Sequence, residues 1–168
     1  MYERHVLPLL IEALADTPVV LLNGARQTGK STLAQALSRT QGFRYLTLDD
    51  RVVLAAAQSD PAGFVAGLEG SVILDEVQRA PELFLEIKAA VDRHRQPGRF
   101  LLTGSASVML LPKLADSLAG RMEILSLWPL SCAEIAAVPG FNRADWLFDG
   151  PLKALSIPPC ERDRLAQL

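Results

Sequence analysis

VVLLNGARQTGKSTL, Val19 to Leu33, decides the fold. Four apolar residues, Val19 to Leu22, form a continuous β-type run, as a central parallel strand covered on both faces requires. The run enters Gly24-Ala25-Arg26-Gln27-Thr28-Gly29-Lys30-Ser31, which fits the pattern GxxxxGK[ST]. Residues 30–39 then read as a helix with Leu33, Ala34 and Leu37 inward. In such a strand–turn–helix, Gly24 and Gly29 let the backbone bend so that successive N–H groups point at phosphate oxygens. The helix N-terminus adds partial positive charge. The cradle thus runs Gly24, Ala25, Arg26, Gln27, Thr28, Gly29, Lys30, Ser31 and Thr32. Lys30 supplies a point charge to the outer phosphates, and the Ser31 hydroxyl suits Mg²⁺, which prefers oxygen ligands and keeps several waters.

Outward from the loop, short apolar runs alternate with helical patterns, the signature of βαβ units on a parallel sheet. Upstream, residues 3–15 carry Val6, Leu7, Leu10 and Leu14 at helical spacing, with Pro8 weakening the first turn. Downstream, 43–50 (FRYLTLDD) alternates as a strand, 51–58 looks helical, and 59–64 (SDPAGF) reads as a turn. SVILDE (71–76) is a second buried run, followed by a helix from Pro81 to about His94 with Leu83, Phe84, Ile87 and Val91 on one face. PGRFLLTGS (97–105) is a turn and a third apolar strand. Residues 107–119 read as a helix ending at Gly120, and 121–131 (RMEILSLWPLS) as a fifth strand. Residues 1–138 are expected to form one domain. Residues 139–168, rich in proline and glycine without periodicity, are expected to be irregular: a linker to, or the start of, a further domain.

A phosphate loop alone indicates binding, not hydrolysis. Val72-Ile73-Leu74-Asp75-Glu76 bears on the difference, because a carboxylate ending a parallel strand stands at the sheet edge where ligands bind. Asp75 is expected to hold Mg²⁺ as a Walker-B aspartate, and Glu76 to polarise the attacking water as a general base. At the tip of Leu101-Leu102-Thr103-Gly104-Ser105, Thr103 and Ser105 are both candidates to touch the terminal phosphate or the water; the bland alternative is a turn with Ser105 capping a helix. Arg121, after Gly120, is a candidate γ-phosphate sensor, or an arginine finger to a neighbouring subunit. A solvated arginine at a helix end is the competing reading. Asp49 and Asp50 end another strand and could lie near the site, but a turn is the default. Arg93, His94, Arg95 and Arg99 read as a solvated helix end.

The chain has 168 residues, 49% hydrophobic and 21% charged, with net charge −2, a globular composition for one core. That balance gives no electrostatic reason to expect nucleic acid. Cys132 and Cys160 follow no metal or redox spacing and read as two reduced thiols of a cytoplasmic protein. No run approaches the ~20 apolar residues of a membrane span.

Taken together, GARQTGKSTL, LTLDD, VILDEVQRAPELFLEIKAAVD, RFLLTGSAS and SLAGRMEILSLWPLSCAEI resemble the predicted bacterial and archaeal ATPases of the AAA+ superfamily. In these an AAA domain is usually followed by a C-terminal domain of unknown function. The likeness covers residues 2 to about 136. It implies an α/β P-loop NTPase of the ASCE/AAA-like type, a three-layer α-β-α sandwich with a mainly parallel sheet in the order 5-1-4-3-2. It also implies ATP as nucleotide with Mg²⁺, and Lys30, Ser31, Asp75 and Glu76 in the site. Gln78 matches the family's glutamine after the Asp-Glu pair. A homo-oligomer or the further domain would supply regulation. The expected function is Mg-dependent hydrolysis of ATP to ADP and phosphate. A nucleotide-binding module with little turnover is the alternative, ahead of a small-molecule kinase, which the Asp75-Glu76 pair disfavours. No Asn-Lys-x-Asp guanine reader occurs, which disfavours a GTPase.

Overall fold

The computed structural model describes residues 2–105, 118 and 120–136. They divide into two compact units, Val6–Pro129 and the joined stretches 2–5 and 130–136. Apart from residue 118, the expected helix over 107–119 lies outside the described residues, as do the segment 139–168 and Cys160.

In the larger unit the helices are α1 (Val6–Asp16), α2 (Lys30–Gln41), α3 (Arg51–Ser59), α4 (Pro61–Ala66) and α5 (Leu83–Arg93). The strands are β1 (Val19–Gly24), β2 (Arg44–Thr47), β3 (Val72–Asp75), β4 (Phe100–Ser105) and β5 (Met122–Ser126). They form one sheet in the order β2-β3-β4-β1-β5, every pair parallel. Read from the other edge this is 5-1-4-3-2, as the resemblance implied.

Strand periodicity divides the core. Val19 and Leu21 point to one face with Val72, Leu74, Phe100 and Leu102, packed against Ala57, Val65, Phe84, Ile87 and Val91 of α3 to α5. Val20 and Leu22 point to the other face with Ile73 and Leu101, against Leu10 and Leu14 of α1 and Leu33 and Leu37 of α2. Both faces are therefore covered, which is why these strands read as unbroken apolar runs. Each fully buried side chain of this kind stabilises by roughly 1.5–3 kcal/mol. The edge strand β5 has Glu123 and Ile124 exposed.

The turn expected at SDPAGF is a correction. Residues 61–66 are a short helix, because Asp60 accepts from the Gly63 N–H at 2.9 Å and Pro61 occupies the first turn, where its missing N–H is harmless. Pro81 in turn precedes α5 by two residues, earlier than its reading as the first helical position.

In the smaller unit, Cys132–Ala136 is a helical turn, α6. Ser131 and Glu134 make a reciprocal cap: the Ser131 N–H donates to Glu134 Oε2 at 2.7 Å, and the Glu134 N–H to Ser131 Oγ at 3.2 Å. Glu134 Oε1 also accepts from Arg4 Nε at 3.1 Å and from the His5 N–H at 2.8 Å. This clasp ties residues 130 positions apart. Burial pushes the Glu134 carboxyl up, but the bonds from Ser131, His5 and Arg4 outweigh it and bring it from 4.5 down to about 2.

Candidate functional site

Because all five strands run the same way, their carboxyl ends share one edge, the place where α/β sheets bind ligands. An open cleft of about 880 Å³ lies there, lined by Arg26, Gln27, Gly29, Lys30, Ser31, Thr32, Asp49, Glu76, Gln78, Arg79 and Ser105. Sequence reasoning placed eight of these eleven in the site; Asp49 had a turn as its default reading, Gln78 had entered only through the resemblance, and Arg79 is added.

The loop is built from the inside. Gly29 adopts φ +93°, a left-handed conformation that opens α2 with no side-chain cap on its first N–H groups. Gln27 takes φ +64° without being glycine, so the loop holds local strain. Gly24 works differently from the reading of it as a bend. Its backbone is not left-handed; a Cβ there would collide with the Leu127 carbonyl oxygen, so glycine is required for the close approach of the chain leaving β5. Lys30 is buried and donates from Nζ to the carbonyls of Gly24 at 3.0 Å and Ala25 at 2.8 Å. Thr28 Oγ1 also donates to Ala25 O, at 2.9 Å. Gly24, Ala25 and Thr28 thus frame the loop, while Arg26, Gln27, Gly29, Lys30, Ser31 and Thr32 face the cleft.

Behind it stands Asp75. Its Oδ1 accepts from Ser31 Oγ at 3.1 Å and from Thr103 Oγ1, and its Oδ2 accepts from the Tyr45 hydroxyl at 2.6 Å. No lysine or arginine pairs with it among the described residues. Burial, with the bond to Asp75, pushes the Tyr45 phenol up to about 12, so it stays a neutral donor at ordinary pH. A carboxylate surrounded by hydroxyls, with a serine oxygen 3.1 Å away, is a hard-oxygen donor set that fits Mg²⁺. No cluster of three His, Cys, Asp or Glu residues suited to a metal occurs among the described residues. Mg²⁺ does not need one, since it is commonly held by one or two protein oxygens plus substrate phosphates.

Glu76 follows at φ +59°, uncommon for a side chain of its size. Its N–H donates to Thr103 Oγ1 at 3.2 Å, and its Oε2 accepts from Gln78 Nε2. Gln78 Oε1 is buried with no hydrogen-bond partner among the described residues. Asp49 accepts from Arg79 Nη1 at 2.5 Å on the cleft's rim, whereas Asp50 caps α3.

The two β4 candidates separate. Ser105 lines the cleft, whereas Thr103 is fully buried outside its lining and braces the Asp75 carboxylate against the Glu76 backbone N–H. Arg121 as a γ-phosphate sensor is a second correction. It precedes β5, its carbonyl accepts from the Val19 N–H at 3.3 Å, and its guanidinium pairs with Asp92 of α5. That is the amino edge of the sheet, roughly 16 Å of strand from the loop, so Arg121 cannot sense phosphate in its own cleft. Arg99, read as solvated, turns inward: it donates to Leu68 O and lies 4.9 Å from the Phe100 ring centroid, and burial lowers its pKa. Arg93, His94 and Arg95 are exposed, as read. Tyr45 was missed, because only the pairing of β2 with β3 brings it to Asp75.

Residues 16–136 match the model of a family described as "AAA domain". Two curated relatives, Uncharacterized protein Rv2008c of Mycobacterium tuberculosis and Uncharacterized protein Mb2031c of Mycobacterium bovis, are each 40% identical over 150 residues. The match covers 88% of this chain and 33% of each relative, so the chain spans about a third of their length. Among solved structures, the Walker-type ATPase PABY2304 of Pyrococcus abyssi superposes with a TM-score of 0.58 at 16% identity, covering 99% of this chain and 62% of that one. This last likeness is one of fold. No helix among the described residues is long and apolar enough to cross a membrane.

Proposed function

Since the chain belongs to the AAA domain family of P-loop nucleotide-binding proteins, we propose that it hydrolyses Mg·ATP to ADP and phosphate in the cleft at the carboxyl edge of its sheet. The observation that carries this reading is the bond from Ser31 Oγ to Asp75 Oδ1 at 3.1 Å, with Glu76 lining the same cleft. Phosphate groups would rest on the loop N–H groups and the uncapped start of α2, with Lys30 and Arg26 adding positive charge. Ser31 and Asp75 would hold Mg²⁺, which when bound neutralises charge on the phosphate oxygens. Glu76 would accept a proton from the attacking water, and Ser105 would contact the terminal phosphate or that water. Thr103 bridges the two acids and fixes their relative position. Catalysis would then rest on positioning and electrostatics, as phosphoryl transfer demands. An arginine at the position of Arg121 could act only on the cleft of a neighbouring subunit. ATP as the preferred nucleotide, and a cytoplasmic location, belong to the same proposal.

Phosphate release with Mg·ATP tests it on wild type, Lys30→Ala and Glu76→Gln. Lys30→Ala is expected to abolish ATP binding. Glu76→Gln should retain binding while turnover falls by on the order of 10²–10⁴-fold, the range for a positioned general base. Wild-type release no faster than that of Glu76→Gln would leave a binding module without turnover. ATP at about 100 times its Kd should stabilise the fold by about 2.7 kcal/mol, and GTP by less.

A further inference from the structure

We propose that Tyr45 is the positioning residue that sets the metal-holding orientation of Asp75, with Gln35 of α2 orienting the phenol in turn. The inference rests on the reading that Asp75 and Ser31 hold Mg²⁺. Asp75 ends β3 with its two oxygens divided between different elements. Ser31 of α2 and Thr103 of β4 share Oδ1, whereas Oδ2 receives the Tyr45 hydroxyl of β2 at 2.6 Å. A carboxylate held at both oxygens cannot rotate about its Cβ–Cγ bond, so Tyr45 fixes which oxygen is presented to Ser31. Gln35 Nε2 lies 3.4 Å from the Tyr45 oxygen and donates to it, which leaves the phenolic hydrogen for Asp75. Ser31 and Gln35 are four residues apart on α2, hence on one face of the helix. That face therefore grips Asp75 twice, directly through Ser31 and at one remove through Tyr45.

The bland reading is that Tyr45 only stabilises the sheet edge. Its ring packs against the cluster that contains Ile73 and Leu101, and a phenylalanine would keep that packing. Removal of the hydroxyl therefore separates the two readings. The experiment titrates Mn²⁺ into the protein saturated with ADP, followed by electron paramagnetic resonance, and measures ADP affinity separately in EDTA. Tyr45→Phe is expected to weaken Mn²⁺ binding roughly tenfold, as loss of a partner that orients a metal ligand does, with ADP affinity in EDTA and the melting temperature unchanged. Asp75→Asn is the control on the underlying reading. If Asp75→Asn leaves Mn²⁺ affinity intact, the metal reading itself fails and Tyr45 falls with it. If Asp75→Asn weakens Mn²⁺ but Tyr45→Phe does not, the role of Tyr45 alone is overturned. That role is equally overturned if Tyr45→Phe weakens ADP in EDTA by the factor seen for Mn²⁺, because the phenol would then support the loop as a whole.

Discussion

Asp75 and Glu134 are buried to nearly the same degree, 3% and 5% exposed, yet they keep opposite company. Glu134 is met by a guanidinium and two backbone N–H groups, all fixed donors. Asp75 is met by three hydroxyls, from Ser31, Thr103 and Tyr45, and by no cation among the described residues. A buried acid whose cation is built into the chain is an anchor, since removing either partner strands the other. A buried acid ringed by neutral, rotatable hydroxyls has room in its charge balance for a cation that arrives with substrate. The difference lies in the partners and not in the burial, and it separates a structural carboxylate from a candidate functional one.

The largest expected effect would break that contrast on the Asp75 side. Asp75→Asn retains shape and most hydrogen bonds but removes the charge. Turnover of Mg·ATP is expected to fall by about 10³-fold, or roughly 4 kcal/mol of transition-state stabilisation. Thermal stability should hold or rise, because a buried carboxylate without a cation opposes folding. A steady-state assay beside a melting curve checks both, and a variant that melts earlier while retaining turnover would put Asp75 in the class of Glu134.

On the Glu134 side, Arg4→Ala leaves a buried carboxylate without its cation, at a cost on the order of 3 kcal/mol to the local clasp. Hydrogen exchange at the His5 and Ser131 amides, both donors to Glu134, is the direct measurement. Those amides should exchange on the order of a hundredfold faster, while ATP affinity stays as in wild type. The same amides report the pH dependence. With the folded pKa near 2 and the ordinary value 4.5, the stabilisation from Glu134 is fully present above 4.5 and is lost as pH falls through 2. Protection corrected for intrinsic exchange should decline over that window, and Glu134→Gln should flatten the decline.

How much of this was legible in the sequence follows from how local each feature is. The loop at 24–31, the VILDE strand end and the three-layer fold rest on contiguous residues whose spacing carries the physics. The Ser131–Glu134 cap is a local signature of the same kind, but its Arg4 partner, 130 residues away, is not. Tyr45 likewise became part of the site only through strand pairing, Tyr45 beside Ile73 and Thr47 beside Asp75. Arg121 failed as a sensor in its own cleft for a related reason. Sequence set it at the start of the fifth strand, but only the parallel pairing of β5 with β1 puts that entering end at the edge opposite the loop. The choice between Thr103 and Ser105 needed burial, which periodicity along one strand does not distinguish.

The smallest effect concerns a third carboxylate that belongs to neither class. Asp50 is exposed and, among the described residues, accepts only from backbone N–H groups, Val52 at 2.7 Å and Val53 at 3.4 Å, at the start of α3. It neighbours Asp49, which lines the cleft, so proximity alone would assign it a share in the chemistry. Its partners say otherwise: they are the first unsatisfied N–H groups of a helix, and the bond is a cap. Asp50→Ala should therefore cost about 1 kcal/mol in a urea titration, and Asp50→Asn only a few tenths. Neither should alter the Mg²⁺ dependence of ATP turnover. If Asp50→Asn shifted that dependence while stability held, partner identity would be a poor guide to role, and the contrast between Asp75 and Glu134 would lose its force with it.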